Sequence, residues 1–336
     1  MAIQFDVLGK PLSDNALLVR IDSGQSVQRL LFDCGQSCLD DVDFAEIREI
    51  DHLFFSHLHM DHVSGFDHYF RCNYDRSKPN HFWGPKGTAK ILQNRFQGYL
   101  WNLHDDMNGR SLVWEIDDNS LSCTRYELSE AFSVSYPESE LSLTQGHGGI
   151  ILNRPSFAVQ ALLLNHGTTS IGYVVREKPR ENIDMSRLGE LGLKPGPWLK
   201  KLKERQDLND LIEAEGKQYT LGQIATEVLK QTEGESIAYL SDFIVQGDEI
   251  EKLAEKIKGC RYLVCESQYL SEDKELAVKN NHMTAEWVAY LARAAAVEEL
   301  VLIHLSSRYP YPFWQRVLDE VKSIFPKARF AKGWER

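Results

Sequence analysis

The segment Ser56–His62 reads SHLHMDH and places three histidines and an aspartate within six residues. Imidazole and carboxylate groups crowded this closely lose hydration and disturb one another's protonation unless a cation shares their lone pairs. Neutral imidazole suits zinc, and a carboxylate adds a hard anionic ligand. In an extended segment His57 and His59 point the same way, because side chains alternate. A turn then lets Asp61 and His62 face a neighbouring position. A zinc site takes about four ligands, and these residues do not comfortably all reach one ion. The spacing favours two metals in one cleft, with further ligands from distant segments. His166 at the end of ALLLNH, Asp242 at the end of SIAYLSD and His304 within LVLIHLS supply the missing types. Taken singly, such a histidine reads as a satisfied core residue and such an aspartate as a helix cap. Four segments converging on one pattern favour the metal site.

These residues need strands to bring them together. DHLFFSH (51–57) is a short apolar run, the pattern of a strand buried on both faces. The histidine cluster follows at its C-terminal end, where open α/β sheets place their chemistry. ALLVRI (16–21) and QRLLFD (28–33) read as strands around a turn at Gly24, and HFWGPKGTAKIL (81–92) as strand, turn and helix. Residues 110–175 are rich in strand patterns, with FAVQALLLNH and SIGYVVRE expected to pair around 167–169. From Arg176 the strand patterns vanish and the chain reads as helical. Nine Lys or Arg face five Asp or Glu between Arg176 and Arg205, against two and seven between Gln206 and Glu235. That asymmetry reads as an inserted arm with a basic first half; the plainer reading is a solvated helical excursion. SIAYLSD, RYLVCES and ELVLIHLS then read as strands alternating with helices. Thr284 caps one helix, whose Trp287, Leu291 and Ala294 form an apolar stripe. The whole suits an α+β sandwich of two sheets with helical outer layers.

The 336 residues, 43% of them hydrophobic, suffice for one large domain or two modest ones. No apolar run approaches the roughly 20 residues of a membrane span, and the first residues carry no secretory pattern. Six cysteines without a CxxC pair read as reduced, buried thiols of a cytoplasmic protein. The net charge of -11 does not advertise nucleic-acid binding, but a local basic patch on an acidic protein still docks a phosphate backbone. His52, His68, His81, His104 and His147 match no pattern.

The H-x-H-x-D-H pattern is the hallmark of the metallo-β-lactamase superfamily, and within it the chain resembles the ribonuclease Z family, endonucleases that trim tRNA precursors on the 3′ side. LFDCGQ (31–36) is similar to that family's LFDCGE, and NHGTTSIGYVVREK (165–178) to its third metal motif. LGLKPGPWLKKLK (191–203) resembles the PPGP stretch of its tRNA-binding arm. CESQY stands where the family has HEAT, NHMTAEWVA where it has HST, and HLSSRY (304–309) nearly repeats the family's sequence. The likeness runs in order from about residue 28 to 310 and is weakest between about 95 and 155. Met60, Ser241, Phe243 and Gln36 depart from the family pattern.

The resemblance implies a four-layer αββα metallo-β-lactamase sandwich over 1–336 with a protruding arm inserted at 177–235, a tRNA-binding exosite in family terms. It implies two zinc ions per chain, other divalent metals being admissible, with His57, His59 and His166 on one ion, Asp61, His62 and His304 on the other, and Asp242 bridging. Two such ions hold a bridging hydroxide and clamp the oxygens of a phosphoryl displacement. Asp61 would orient that hydroxide or take its proton, and His282, paired with Glu266, would protonate the leaving 3′ oxygen. Arg308 would reach a phosphate oxygen, and Lys200, Lys201 and Lys203 would grip RNA, a tRNA precursor, away from the cut. A cytoplasmic homodimer is expected. Two other readings remain: a small-molecule phosphodiesterase of the cyclic-nucleotide type on the same fold, and a non-catalytic RNA-binding protein with a relic site. The arm speaks for a large RNA, and the full set of seven ligands speaks against a relic.

Overall fold

The computed structural model describes residues 3–24, 26–102, 107–142, 149–203, 207–214 and 217–334. His104 and His147 lie outside the described residues. The chain divides into two compact units, one made of 1–176 with 235–336, the other of 177–234.

The first unit opens with β1 (Ile3–Gly9), β2 (Asn15–Asp22), β3 (Val27–Phe32), β4 (His52–Phe54), β5 (Asn80–Pro85), β6 (Arg110–Ile116), β7 (Ser120–Glu127) and β8 (Tyr136–Ser142), which form one eight-stranded sheet in sequence order. β3 to β6 run parallel, and the strands on either flank pair antiparallel. The chain continues with β9 (Ile150–Asn153), β10 (Phe157–Asn165) and β11 (Thr169–Glu177), and leaves for the second unit. That unit carries β12 (Arg180–Ile183), β13 (Leu211–Ala214), β14 (Lys217–Thr220) and β15 (Leu229–Thr232). The chain returns with β16 (Ser236–Leu240), β17 (Tyr262–Glu266), β18 (Glu299–Ile303) and β19 (Ala328–Phe330). The second sheet has the order β19-β18-β17-β16-β11-β10-β9, with β16 to β19 parallel.

The period-two pattern of β2 explains the layering. Leu17, Val19 and Ile21 join a core that also holds Tyr173, Tyr239, Val264 and Leu302 of the second sheet. Ala16 and Leu18 on the opposite face pack instead with Phe66, Tyr69 and Phe96 of the helices Phe66–Asn73 and Thr88–Phe96. Behind the second sheet, Leu253, Val288, Leu291 and Leu318 belong to helices Asp248–Lys256, Ala285–Ala294 and Gln315–Ile324. The sequence is thus helix, sheet, sheet, helix. The Thr284 side chain accepts from Trp287 N at the start of Ala285–Ala294, as an N-cap does.

The second unit corrects the expectation of an all-helical arm. β12 pairs with β15 and β13 with β14, in two small antiparallel sheets. Around them lie the helices Met185–Glu190, Trp198–Lys203 and Leu221–Val228, whose Leu188, Leu202, Leu221, Ile224 and Val228 make a separate core. None of the four-residue strands, RENI, LIEA, KQYT and LKQT, alternates apolar with polar residues, so the strand signal is absent. The expected boundary at Glu235 also moves by one residue: its Oε2 accepts from Ile3 N at 2.8 Å, within the first unit.

Candidate metal centre

The candidate metal ligands and Glu266 stand at or just beyond the C-terminal ends of strands, whereas His282 follows the helix Lys274–Asn280. His57–His62 follow β4, His166 follows β10, Asp242 follows β16, Glu266 ends β17 and His304 follows β18. Asp33, Asp242 and His304 all have left-handed backbones, with φ of 57°, 51° and 52°. Left-handed backbone is uncommon outside glycine, though Asp and His tolerate it better than most, and it is often found where surrounding structure fixes a functional side chain. The histidine segment is held against the loop after β3. Cys34 N donates to His62 O and Gly65 N to Cys34 O, both at 2.8 Å. A side chain at Gly35 would put its Cβ 2.4 Å from Asp61 O, so only glycine permits that approach.

The ligand atoms of His57, His59 and His166 lie within 4.8 Å of one another, and so do those of Asp61, His62, Asp242 and His304. Asp242 faces both sets. Its Oδ2 is 3.9 Å from His57 Nε2, 3.7 Å from His166 Nε2 and 3.4 Å from His62 Nε2, and its Oδ1 is 3.3 Å from His304 Nδ1. Asp61 Oδ2 is 3.2 Å from His62 Nε2 and 3.3 Å from His304 Nε2.

Three ring nitrogens, His57 Nε2, His62 Nε2 and His304 Nδ1, are buried without a hydrogen bond. Orphaned buried polar atoms are costly, and here they converge with carboxylates on shared points. A divalent cation at each point would satisfy them, so the residues fit the metal that the pattern implies. The charges agree. Burial disfavours the Asp61 carboxylate, but His304 and His62 outweigh it and hold its pKa far below the usual range. Asp242 is likewise lowered: burial opposes ionisation, and His304 and His62 overcome it. Burial and the neighbouring His62 hold His57 down to about 2, keeping it neutral and able to ligate. His62 and His304 go the other way. Burial disfavours their protonation, but Asp242 raises both, with Asp33 adding for His62 and Asp61 for His304.

Beside this cluster, His282 Nδ1 lies 3.0 Å from Glu266 Oε2. Burial works against a charge on His282, yet Glu266 raises it to about 9. His282 also groups with His166 and Asp242, and with Glu266 and His304, within the same 4.8 Å reach.

Among curated proteins, ribonuclease Z of Deinococcus radiodurans is 43% identical over 331 residues, 98% of each chain. The chain belongs to the ribonuclease Z family. The metallo-β-lactamase fold protein YhfI from Bacillus subtilis aligns with a TM-score of 0.54 at 15% identity, over 98% of this chain and 96% of the other. Human tRNase Z, short form, aligns at 0.53 and 17% identity over the same shares. At those identities they show the metallo-β-lactamase fold. The family described as Anti-Pycsar protein Apyc1 matches residues 10–140.

Two of the departures of this ribonuclease Z family chain, Ser241 and Phe243, bond to site residues. Met60 is 79% exposed. Ser241 Oγ donates to Asp242 Oδ1 at 3.0 Å, and Phe243, buried in the core, donates its backbone N–H to Glu266 Oε1 at 2.8 Å. The exposed Arg308 guanidinium makes no hydrogen bond or ion pair among the described residues. Lys200, Lys201 and Lys203 lie in the other unit, on helix Trp198–Lys203, where Lys201 Nζ pairs with Asp210 at 2.8 Å and Asp207 at 3.2 Å. Burial raises the thiols of Cys34 and Cys38, the latter to about 12. Neither joins a ligand group among the described residues. His52 and His81 accept from the indoles of Trp83 and Trp114.

Sequence reasoning assigned no role to Asp33, Ser56 or Tyr239. Asp33 Oδ2 is 2.8 Å from both His62 Nδ1 and Tyr239 Oη, and 2.7 Å from Ser56 Oγ. The available signal was an aspartate closing the apolar run LLFD, since a carboxylate buried at a strand end needs donors.

Proposed function

We propose that the chain is a metal-dependent phosphodiesterase that cuts RNA endonucleolytically, trimming tRNA precursors on the 3′ side. The observation that carries this is one carboxylate, Asp242, facing two ligand sets beside a separate Glu266–His282 pair. His57, His59 and His166 would hold one ion, and Asp61, His62 and His304 the other, with Asp242 between them. Imidazole with carboxylate suits zinc, though other divalent metals accept the same donors. Ions so held supply a Lewis acid for a phosphoryl oxygen and make water acidic enough to ionise near neutral pH.

The protein's own groups divide the remaining work. Asp61, ionised and partly exposed, orients or accepts the proton of the attacking water. His282 carries its proton toward the departing 3′ oxygen from Nε2, because Nδ1 is turned to Glu266. The carboxylate fixes the ring and stabilises its protonated form, as a general acid requires. Arg308, with its guanidinium free, reaches a phosphate oxygen of the substrate. Unit 177–234 binds the body of the RNA through the basic face that includes Lys200 and Lys203. Lys201 contributes once it exchanges Asp207 and Asp210 for phosphate.

The protein would work in the cytoplasm as a homodimer. Its cysteines are free and buried, and no helix among the described residues is long and apolar enough to cross a membrane. The deciding experiment incubates the purified protein with a 3′-extended tRNA precursor and maps the cut. A cut at the 3′ side that disappears in His59→Ala, with the fold retained, supports the reading. An intact precursor in the presence of zinc overturns it.

A further inference from the structure

The two ligand sets are joined behind the cleft as well as across it. His57 Nδ1 is 3.1 Å from Ser56 Oγ, and Ser56 Oγ is 2.7 Å from Asp33 Oδ2. The same oxygen is 2.8 Å from His62 Nδ1 and 2.8 Å from Tyr239 Oη, and His62 Nδ1 also lies 3.4 Å from Ser56 Oγ. Asp33 Oδ1 accepts from Ser56 N at 2.6 Å. Asp33, Ser56 and His57 are fully buried, and His62 and Tyr239 are each 2% exposed, so water does not replace these bonds.

The hydrogens follow from what each group can do. An ionised carboxylate only accepts. The single Ser56 hydroxyl hydrogen therefore goes to Asp33, and the Ser56 lone pair receives the hydrogen on His57 Nδ1. His62 Nδ1–H and Tyr239 O–H also point to Asp33 Oδ2. Both histidines are thus held through Nδ1 with Nε2 turned into the cleft, the two atoms left without hydrogen bonds. His57 belongs to the set with His59 and His166, and His62 to the set with Asp61, Asp242 and His304. His166 has its own anchor, Nδ1 to Asn281 O at 2.9 Å. Ser56 is therefore the only hydrogen-bonded link from the first set to Asp33 among the described residues.

We propose that Ser56 is a positioning residue that places the first metal position under the control of the carboxylate orienting the second, with Tyr239 fixing that carboxylate from the opposite sheet. One oxygen then sets the ring orientation and basicity of a ligand in each set. Loss of Ser56 Oγ frees His57 to rotate or change tautomer, while His62 loses only the longer 3.4 Å contact and keeps its 2.8 Å bond to Asp33. Loss of the Tyr239 hydroxyl disturbs the oxygen that both sets share. Partners of this kind change metal affinity by about 10–100-fold when removed.

The inference rests on the metal-centre reading above, and its test separates the two. Stepwise zinc affinities are measured on the metal-free chain by competition with a chromophoric chelator, for the wild type, Ser56→Ala, Ser56→Thr and Tyr239→Phe. Circular dichroism and melting of the metal-free forms establish that each folds. Two tight sites are expected in the wild type; fewer overturns the binuclear reading itself. In Ser56→Ala one site should weaken by about 10–100-fold and the other by less than about threefold, a contrast larger than structural softening would give. The remaining tight site should vanish on adding His304→Ala and survive His166→Ala. Ser56→Thr, which keeps the hydroxyl, should restore the first site, and Tyr239→Phe should weaken both. Equal weakening in Ser56→Ala, no weakening, or survival of the tight site after His304→Ala overturns the assignment of Ser56.

Discussion

Glu266 holds His282 from behind, with Oε2 3.0 Å from Nδ1, while its Oε1 accepts the backbone N–H of Phe243 next to Asp242. The acid is thereby fixed to the segment that joins the two ligand sets. If His282 delivers a proton to a leaving 3′ oxygen, its importance depends on how poor that leaving group is. His282→Ala should lower kcat on precursor tRNA by about 10²–10⁴-fold. It should leave turnover of bis(p-nitrophenyl) phosphate nearly unchanged, because p-nitrophenolate departs without a proton. Equal losses on both substrates, at unchanged zinc content, would remove His282 from the acid role.

The same pair predicts a pH dependence in the metal-free protein. His282 is raised to about 9 in the folded chain, against about 6.5 unfolded. A raised histidine contributes stability that is fully present below the unfolded pKa and lost as pH rises through the folded one. The contribution is on the order of 3 kcal/mol. Glu266→Gln removes the partner that raises it. The metal-free wild type should therefore melt above Glu266→Gln below about pH 6.5, and the gap should close by about pH 9. A gap independent of pH would mean that Glu266 acts only by packing.

Metal uptake should release protons. His62 and His304 are raised by Asp242 and its neighbours in the metal-free chain, so each must lose a proton before its nitrogen ligates. Zinc affinity should rise with pH above the ordinary histidine pKa of about 6.5, and calorimetry in buffers of different ionisation enthalpy should register the protons. Treatment with a chelator should lower the melting temperature and abolish cleavage, with zinc restoring both. Asp242→Ala should lose both ions and reduce cleavage by at least about 100-fold. A pH-independent affinity, or full activity in Asp242→Ala, would contradict this centre.

Much of the centre was legible because its chemistry is local. SHLHMDH concentrates its own ligands, and His166, Asp242 and His304 each close an apolar strand run. What remained hidden is relational. Nothing near Ser56 says that its hydroxyl joins His57 to a carboxylate 23 residues away, and Tyr239 reaches Asp33 across 206 residues. The strand β1 was missed because IQFDVLG mixes polar and apolar residues in a half-buried edge. The four strands of unit 177–234 were missed because none alternates apolar with polar residues. Ser241 was visible as a departure, but its bond to Asp242 was not.

The inserted unit can be tested by removal, because its ends meet. Arg180 pairs with Thr232 across β12 and β15, so residues 180–232 can be replaced by a short glycine-rich turn without stretching the chain. The unit has its own hydrophobic cluster, separate from those of the sandwich. Deletion should leave zinc content and bis(p-nitrophenyl) phosphate turnover close to wild type, while kcat/KM for precursor tRNA falls by at least about 100-fold through KM. Phosphate contacts are salt-sensitive, so the wild type's advantage on tRNA should shrink as salt rises, and Lys200→Ala with Lys203→Ala should reproduce part of the loss. Undiminished tRNA cleavage after the deletion would show that substrate is selected at the metal cleft alone.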